Sequence, residues 1–232
     1  MANNRIHIIT PMGREREAVG IIDADGVTVG TSGIGKVNAA LAAAEACLRV
    51  ARPHLVVCVG CAGALDECLR LGDVVVSDRV GYWDVNCGAG SAPGVVQGEP
   101  PTFEAAVGVA DMAAFALNST LLKDGARAVV GGIVSGDAFL SSGEAGRRVR
   151  SLFGYALAID MESAAIGHAC FKCGVPFLSI RVVSDTAKGD RAKGDRAKEY
   201  EEFWQSPQSR FAWVGGLARE LAEHARVAPA AK

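Results

Sequence analysis

Apolar positions fall along this chain in short strand-length runs, separated by stretches of helical spacing and by glycine-rich turns. Ile6 to Thr10 predicts a first strand ending at Pro11-Met12-Gly13, and Arg14 to Glu17 then opens a polar turn or short helix. Val27 to Thr31 predicts a second strand. From Gly33 a glycine-rich turn feeds an alanine-rich helix, Asn38 to Val50, which Pro53 closes. Leu55 to Gly60 is the most apolar strand, and it runs into Cys61-Ala62-Gly63-Ala64, a turn of small residues that lets a ligand approach the backbone closely. Asp73 to Ser77 predicts further sheet. Asn86 to Pro101 loses periodicity altogether, as long loops that act as lids or partner contacts do. Glu104 to Leu117 then predicts a helix, and Ala126 to Ser135 a strand that reaches Gly136-Asp137-Ala138-Phe139-Leu140.

Ile159 to Ala187 carries the densest pattern. Small apolar residues from Ser163 to Phe171 suit a closely packed helix, which Gly174-Val175-Pro176 stops. Phe177 to Val183 is nearly continuous in apolar character, as a strand covered on both faces is, and only Ser179 and Arg181 interrupt it before Ser184-Asp185. Lys-Gly-Asp-Arg-Ala then occurs twice in tandem, at 188–192 and 193–197, too short for a repeat architecture and read as an exposed charged loop. An amphipathic helix from about Ser209 to Val227 ends the pattern, and the tail beyond it is expected to be disordered. Strands alternating with helices in this way predict one α/β domain over residues 1–232, with a mostly parallel sheet covered on both faces.

Composition narrows the possible functions. With 232 residues, 50% of them hydrophobic and 22% charged, the chain can bury a sizeable core. A net charge of −2 offers no basic field for a nucleic-acid backbone. No apolar run is long enough to span a bilayer and no signal-peptide core is present, so a soluble cytoplasmic protein is expected. The seven cysteines are expected to be reduced thiols, and the pairs Cys58/Cys61 and Cys170/Cys173 lie too far apart in the chain for a compact zinc site. No metal and no cofactor are expected. Gly30, Gly35 and Lys36 fit a phosphate-loop frame, yet Val37 stands where the magnesium-binding hydroxyl is required.

Carboxylates carry the candidate chemistry. Glu162 and Asp185 fall where buried elements meet, and a buried carboxylate is costly without a partner or a task. By residue type alone a capping Glu and a strand-end Asp are the plainer reading of these two, and a solvated surface charge would account equally for Glu15.

Five segments in order, Thr31 to Ala40, Gly60 to Ala64 with Leu71 to Asp78, Ser135 to Phe139, Asp160 to Ala164 and Arg181 to Asp185, resemble the nucleoside phosphorylase superfamily, closest to its nucleosidases for methylthioadenosine and S-adenosylhomocysteine. The resemblance implies a three-layer α/β/α sandwich around a mixed, partly barrel-like sheet, a small-molecule purine nucleoside and water as substrates, a part in methionine salvage, and a homodimer. It also implies roles. Asp185 would protonate the leaving base, with Ser184 orienting it, and Glu15 would activate water with Arg181 nearby. Glu162 would hold the ribose hydroxyl beside Asp160 and Met161. Phe139 would stack on the base, the Leu140 backbone would read its edge, Cys61, Ala62 and Gly63 would line the floor, and Tyr200 would close the pocket. Relatives acting on another nucleoside, futalosine-like or hopanoid-linked, and a non-catalytic nucleoside-binding protein are the alternatives. Phosphorylases of the superfamily carry an arginine and a hydroxyl around the Gly60 turn. Here Cys58-Val59-Gly60-Cys61 supplies neither, which implies water as the second substrate. Arg14 and Arg16 stand against this, since either could turn inward to a phosphate, but in a polar turn solvent exposure is the expectation.

Overall fold

The computed structural model describes residues 5–20, 22, 24–121, 125–186, 195–206, 211 and 213–224. Eight strands form one sheet: β1 (Ile6–Thr10), β2 (Val27–Thr31), β3 (Leu55–Ala64), β4 (Val74–Tyr82), β5 (Phe103–Glu104), β6 (Ala128–Ser135), β7 (Ala156–Asp160) and β8 (Phe177–Asp185). Between and after them lie α1 (Gly13–Val19), α2 (Lys36–Leu48), α3 (Val109–Leu121), α4 (Gly143–Leu152), α5 (Ser163–Cys173), α6 (Asp195–Phe203) and α7 (Val214–His224).

The alternation along β3 explains the layering. All ten of its residues are buried, because side chains on both faces meet apolar helices. Leu55, Val57 and Val59 pack with Leu117 of α3 and Leu217 and Leu221 of α7. Val56, Cys58 and Ala62 pack on the opposite face with Ala43 of α2 and Ile166 of α5. The sheet curls as well as layers: β3 pairs with β7 and β8, β8 with β4, β4 with β6, and β6 with β7, which closes a five-strand ring. Five of the eight pairings are parallel, as the mixed, partly barrel-like sheet requires.

Several expected boundaries shift, each for a pairing reason. Cys61 to Ala64 is strand and not turn, because the ladder to β8 continues past Gly60 and β7 takes Gly63 and Ala64. The segment expected from Asp73 to Ser77 runs on to Tyr82 beside β6. Phe103 and Glu104 pair with Val80 and Arg79, so the helix expected from Glu104 begins only at Val109. The alanine-rich helix starts at Lys36, two residues early. Helix α4 and strand β7 have no expected counterpart: α4 buries only Gly143, Gly146 and Val149, a faint apolar signal. Ile159-Asp160 closes β7 and does not open the helix that follows. The expected exposed loop at 188–197 is also corrected at its end, since Asp195 begins α6 and Arg196 is buried. The first copy of that pentapeptide and the tail beyond Val227 lie outside the described residues.

Candidate active site

Glu15 lies one turn into α1, where a solvated glutamate would cost nothing, yet it is 1% exposed. Its position at N3 lets Oε2 accept the Met12 backbone N–H at 2.9 Å, closing the helix start, while Oε1 accepts the Cys61 backbone N–H at 2.8 Å. The short helix is thereby latched to the middle of β3. A Cβ on Gly60 would collide with Arg181 Nη1 and Glu15 Oε1, so the missing side chain is what allows the carboxylate and the guanidinium to meet there.

Arg181 is fully buried. Its Nε lies 2.7 Å from Asp160 Oδ2, and its Nη2 lies 3.5 Å from Glu162 Oε2 and 3.0 Å from Cys58 Sγ. Asp160 also accepts hydrogen bonds from the Ser135 and Ser163 hydroxyls and from the Glu162 and Ser163 backbone, so both its oxygens are occupied by the protein. Glu162 does not cap α5 with its side chain. Oε1 accepts the Gly35 N–H at 3.0 Å, so the turn that resembles a phosphate loop spends a donor on a carboxylate. Lys36 and Asp137 tie that turn to Asp84: Lys36 Nζ lies 2.6 Å from Asp84 Oδ2, and the Lys36 N–H donates to Asp137.

Three buried carboxylates therefore surround one buried guanidinium, and a single positive charge cannot fully compensate them. Burial raises Glu162 to about 7 against the pull of Arg181. Burial also raises Glu15, with Arg181 and the Cys61 and Met12 N–H groups opposing. The Cys61 thiol is pushed well above its usual range by burial and by Glu15, so it stays neutral.

Asp185 ends β8 and is 2% exposed. Ser184 Oγ donates to Oδ1 at 3.1 Å, and Arg196 Nε donates to Oδ2 at 2.6 Å. Burial raises this carboxyl too, while Arg196 and Ser184 pull it down. Phe139 stands half open at the mouth, edge-on to Tyr200 with ring centroids 6.1 Å apart. Tyr200 OH in turn accepts a hydrogen bond from Arg14 Nη2 at 2.7 Å. Arg14 turns partly inward instead: with its side chain 38% exposed, its guanidinium stacks over Tyr200 and Trp204, each 4.7 Å from the ring centroid, and lines the site. Arg16 donates to the Gly20 carbonyl.

A cavity of about 300 Å³, within the range of small-ligand sites, joins these groups. Of the residues singled out from the sequence, all line it except Leu140, which borders an adjoining recess, and Arg181, which lies behind Glu162. Sequence reasoning missed Met12, Ser163 and Arg196, and set Gly35 in a phosphate-loop frame where it instead donates to Glu162. Met12 and Ser163 act through backbone or hydroxyl groups that leave no trace in composition. Arg196 carries no signal either, being one charge in a charged run.

A family model described as the phosphorylase superfamily matches residues 3–217. The 5′-methylthioadenosine/S-adenosylhomocysteine nucleosidase of Staphylococcus aureus is 37% identical over 171 residues, 73% of each chain. Among solved structures, the corresponding nucleosidase of Neisseria meningitidis, in complex with methylthio-immucillin-A, superposes with a TM-score of 0.81 at 30% identity, covering 94% of this chain and all of that one. That of Colwellia psychrerythraea, in complex with adenine, gives 0.80 at 30% identity over 95% of both.

Proposed function

Because the chain belongs to the phosphorylase superfamily and, within it, to the family of 5′-methylthioadenosine/S-adenosylhomocysteine nucleosidases, we propose that it hydrolyses the N-glycosidic bond of such adenine nucleosides. The observation that carries this reading is the convergence of Glu15, Glu162 and Asp185, three buried carboxylates from different elements, on one cavity. Breaking the bond from C1′ to N9 develops positive charge on the ribose and negative charge on the base. Asp185 donates a proton to the base at N7 as that bond opens, and Ser184 holds the carboxyl in line. Water attacks C1′ and yields its proton to Glu15. Glu162, held by Gly35 and Arg181, accepts a hydrogen bond from a ribose hydroxyl. Arg181 offsets the charge of Asp160 and Glu162 beside the Glu15 that takes the proton from water. Phe139 and Tyr200 offer the base aromatic surface. No helix among the described residues is long and apolar enough to cross a membrane, and the seven free thiols suit the reducing cytoplasm proposed for it.

Water is the second substrate in this reading. A phosphate dianion needs cationic or hydroxyl partners, and the side chain facing that position is the Glu15 carboxylate, with Arg181 already shared between Asp160 and Glu162. Arg14 is engaged by Tyr200 and Glu201. Incubation with 5′-methylthioadenosine or S-adenosylhomocysteine is expected to release adenine and a free ribose derivative at a rate that phosphate leaves unchanged. Accumulating ribose 1-phosphate with saturable phosphate dependence would identify a phosphorylase instead.

The assembly proposed is a homodimer of one-domain chains. Val37, Leu41 and Leu48 expose a row of apolar side chains on the outer face of α2, and the aperiodic segment Asn86 to Pro101 lies ready to contact a second copy. Light scattering at micromolar concentration is expected to give twice the 24.0 kDa chain mass, and a fully active 24.0 kDa particle contradicts the proposal.

A further inference from the structure

Arg196, in the first turn of α6, is 2% exposed and borders the recess that adjoins the cavity beside Asp185. Its Nε donates to Asp185 Oδ2 at 2.6 Å, and Nη2 reaches the Ala64 carbonyl at 3.4 Å. Nη1 is buried with no hydrogen-bond partner among the described residues. A Cβ on Gly63 would collide with Arg196 Nη2, so this glycine in β3 is what admits the guanidinium. The recess left between Arg196, Asp185, Phe139 and Leu140 holds about 30 Å³, room for about one water and not for a bicyclic base.

We propose that Arg196 is a displaceable counter-ion of Asp185, a positioning residue that holds the carboxylate in the free enzyme and surrenders it to the base when substrate enters. This inference rests on the reading of Asp185 as the leaving-group acid. A carboxylate gripped by a guanidinium and a hydroxyl is stabilised without its proton, whereas an acid must arrive protonated. A proton placed on Oδ2 for the base is opposed by the guanidinium charge in contact with that oxygen. The groups around Asp185 make the direction of the effect definite. On α6 they are Arg196 and Glu199, the latter bonded to the Thr186 N–H; on β8, Ser184; on β3, the neutral Cys61 thiol; and on β7, Asp160, already paired with Arg181. Without Arg196, burial and Glu199 both favour the protonated acid.

The test is the pH profile of kcat/KM for 5′-methylthioadenosine, with adenine binding by calorimetry, in the wild type, Arg196→Gln and Arg196→Lys. The alkaline limb reports the acid of the free enzyme. In Arg196→Gln it is expected to move up by about one pH unit or more, the effect of losing an opposite charge at contact distance. Adenine should bind about tenfold tighter once the competing side chain is gone, since competition lowers apparent affinity by the fraction of open sites. Arg196→Lys should return the limb towards the wild type. A folded Arg196→Gln protein whose limb and adenine affinity match the wild type overturns the inference alone. Weaker adenine binding in Arg196→Gln, restored by lysine, also overturns it, because Arg196 would then be a lasting contact to the base. A wild-type protein that neither binds nor releases adenine overturns the functional reading, and the inference with it.

Discussion

Asp185→Asn lowers turnover by about two to four orders of magnitude, the span of a positioned proton donor, with a smaller change in KM. Asparagine keeps the shape of the side chain and can still accept the Ser184 hydroxyl, so the cavity wall survives. What it lacks is a proton to give as the bond to the base breaks. The substitution also removes the charge that Arg196 faces in the free protein, so a thermal melt beside the kinetics separates lost stability from lost chemistry. The sign of the wild-type pH dependence follows from the same group. Burial raises the carboxyl, and activity that needs it protonated falls as pH rises through that raised value. A variant that is folded and turns over at close to the wild-type rate would remove Asp185 from the role of acid.

Glu15→Gln produces a loss of similar size through the other half of the reaction. Water must give up a proton as it attacks C1′, and only the ionised carboxylate can take it. Burial raises Glu15, so the acid limb of the profile is expected above the ordinary carboxylate range, with activity lost as pH falls through it. The glutamine variant should retain neither the rate nor that limb. A structural cost accompanies the change, because both Glu15 oxygens accept backbone N–H groups and an amide has only one oxygen to offer Met12 and Cys61. An unpaired buried donor costs about 1–3 kcal/mol, less than the roughly 3–5 kcal/mol equivalent to the expected rate loss. Stability measured on the same sample therefore divides the two. Survival of the acid limb in a folded Glu15→Gln protein would assign the base elsewhere.

Both substitutions act on a site that is partly legible in the amino-acid sequence alone. The carboxylates at 162 and 185 stand out because they fall where buried elements meet. The burial of Glu15 was not legible. Glu15 in the sequence Arg-Glu-Arg-Glu has the local character of a surface helix, and only the Cys61 N–H, 46 residues away, draws it inward. The phosphate-loop likeness at Gly35-Lys36 shows the opposite failure. The local pattern was suggestive, and the partner that meets its N–H is Glu162, brought there by the packing of α2 on α5.

What the sequence determined by itself is whatever depends on neighbours along the chain. The doubly covered strands follow from continuous apolar runs, the helix stop at Gly174 from glycine conformation and Pro176, and the order of elements, β5, α4 and β7 excepted, from their alternation. Tertiary structure alone decided three things. β3 continues through Cys61 to Ala64 because β7 and β8 supply its hydrogen bonds, and strand pairing is a property of two segments. Arg14 turns inward because Tyr200 and Trp204, nearly the whole chain away, give its guanidinium aromatic faces. Arg196, read from its charged surroundings as exposed, is buried because Asp185 offers it an opposite charge and Gly63 leaves the space for it to lie there. In each case the deciding energy comes from a contact between residues remote in sequence, which no local pattern records.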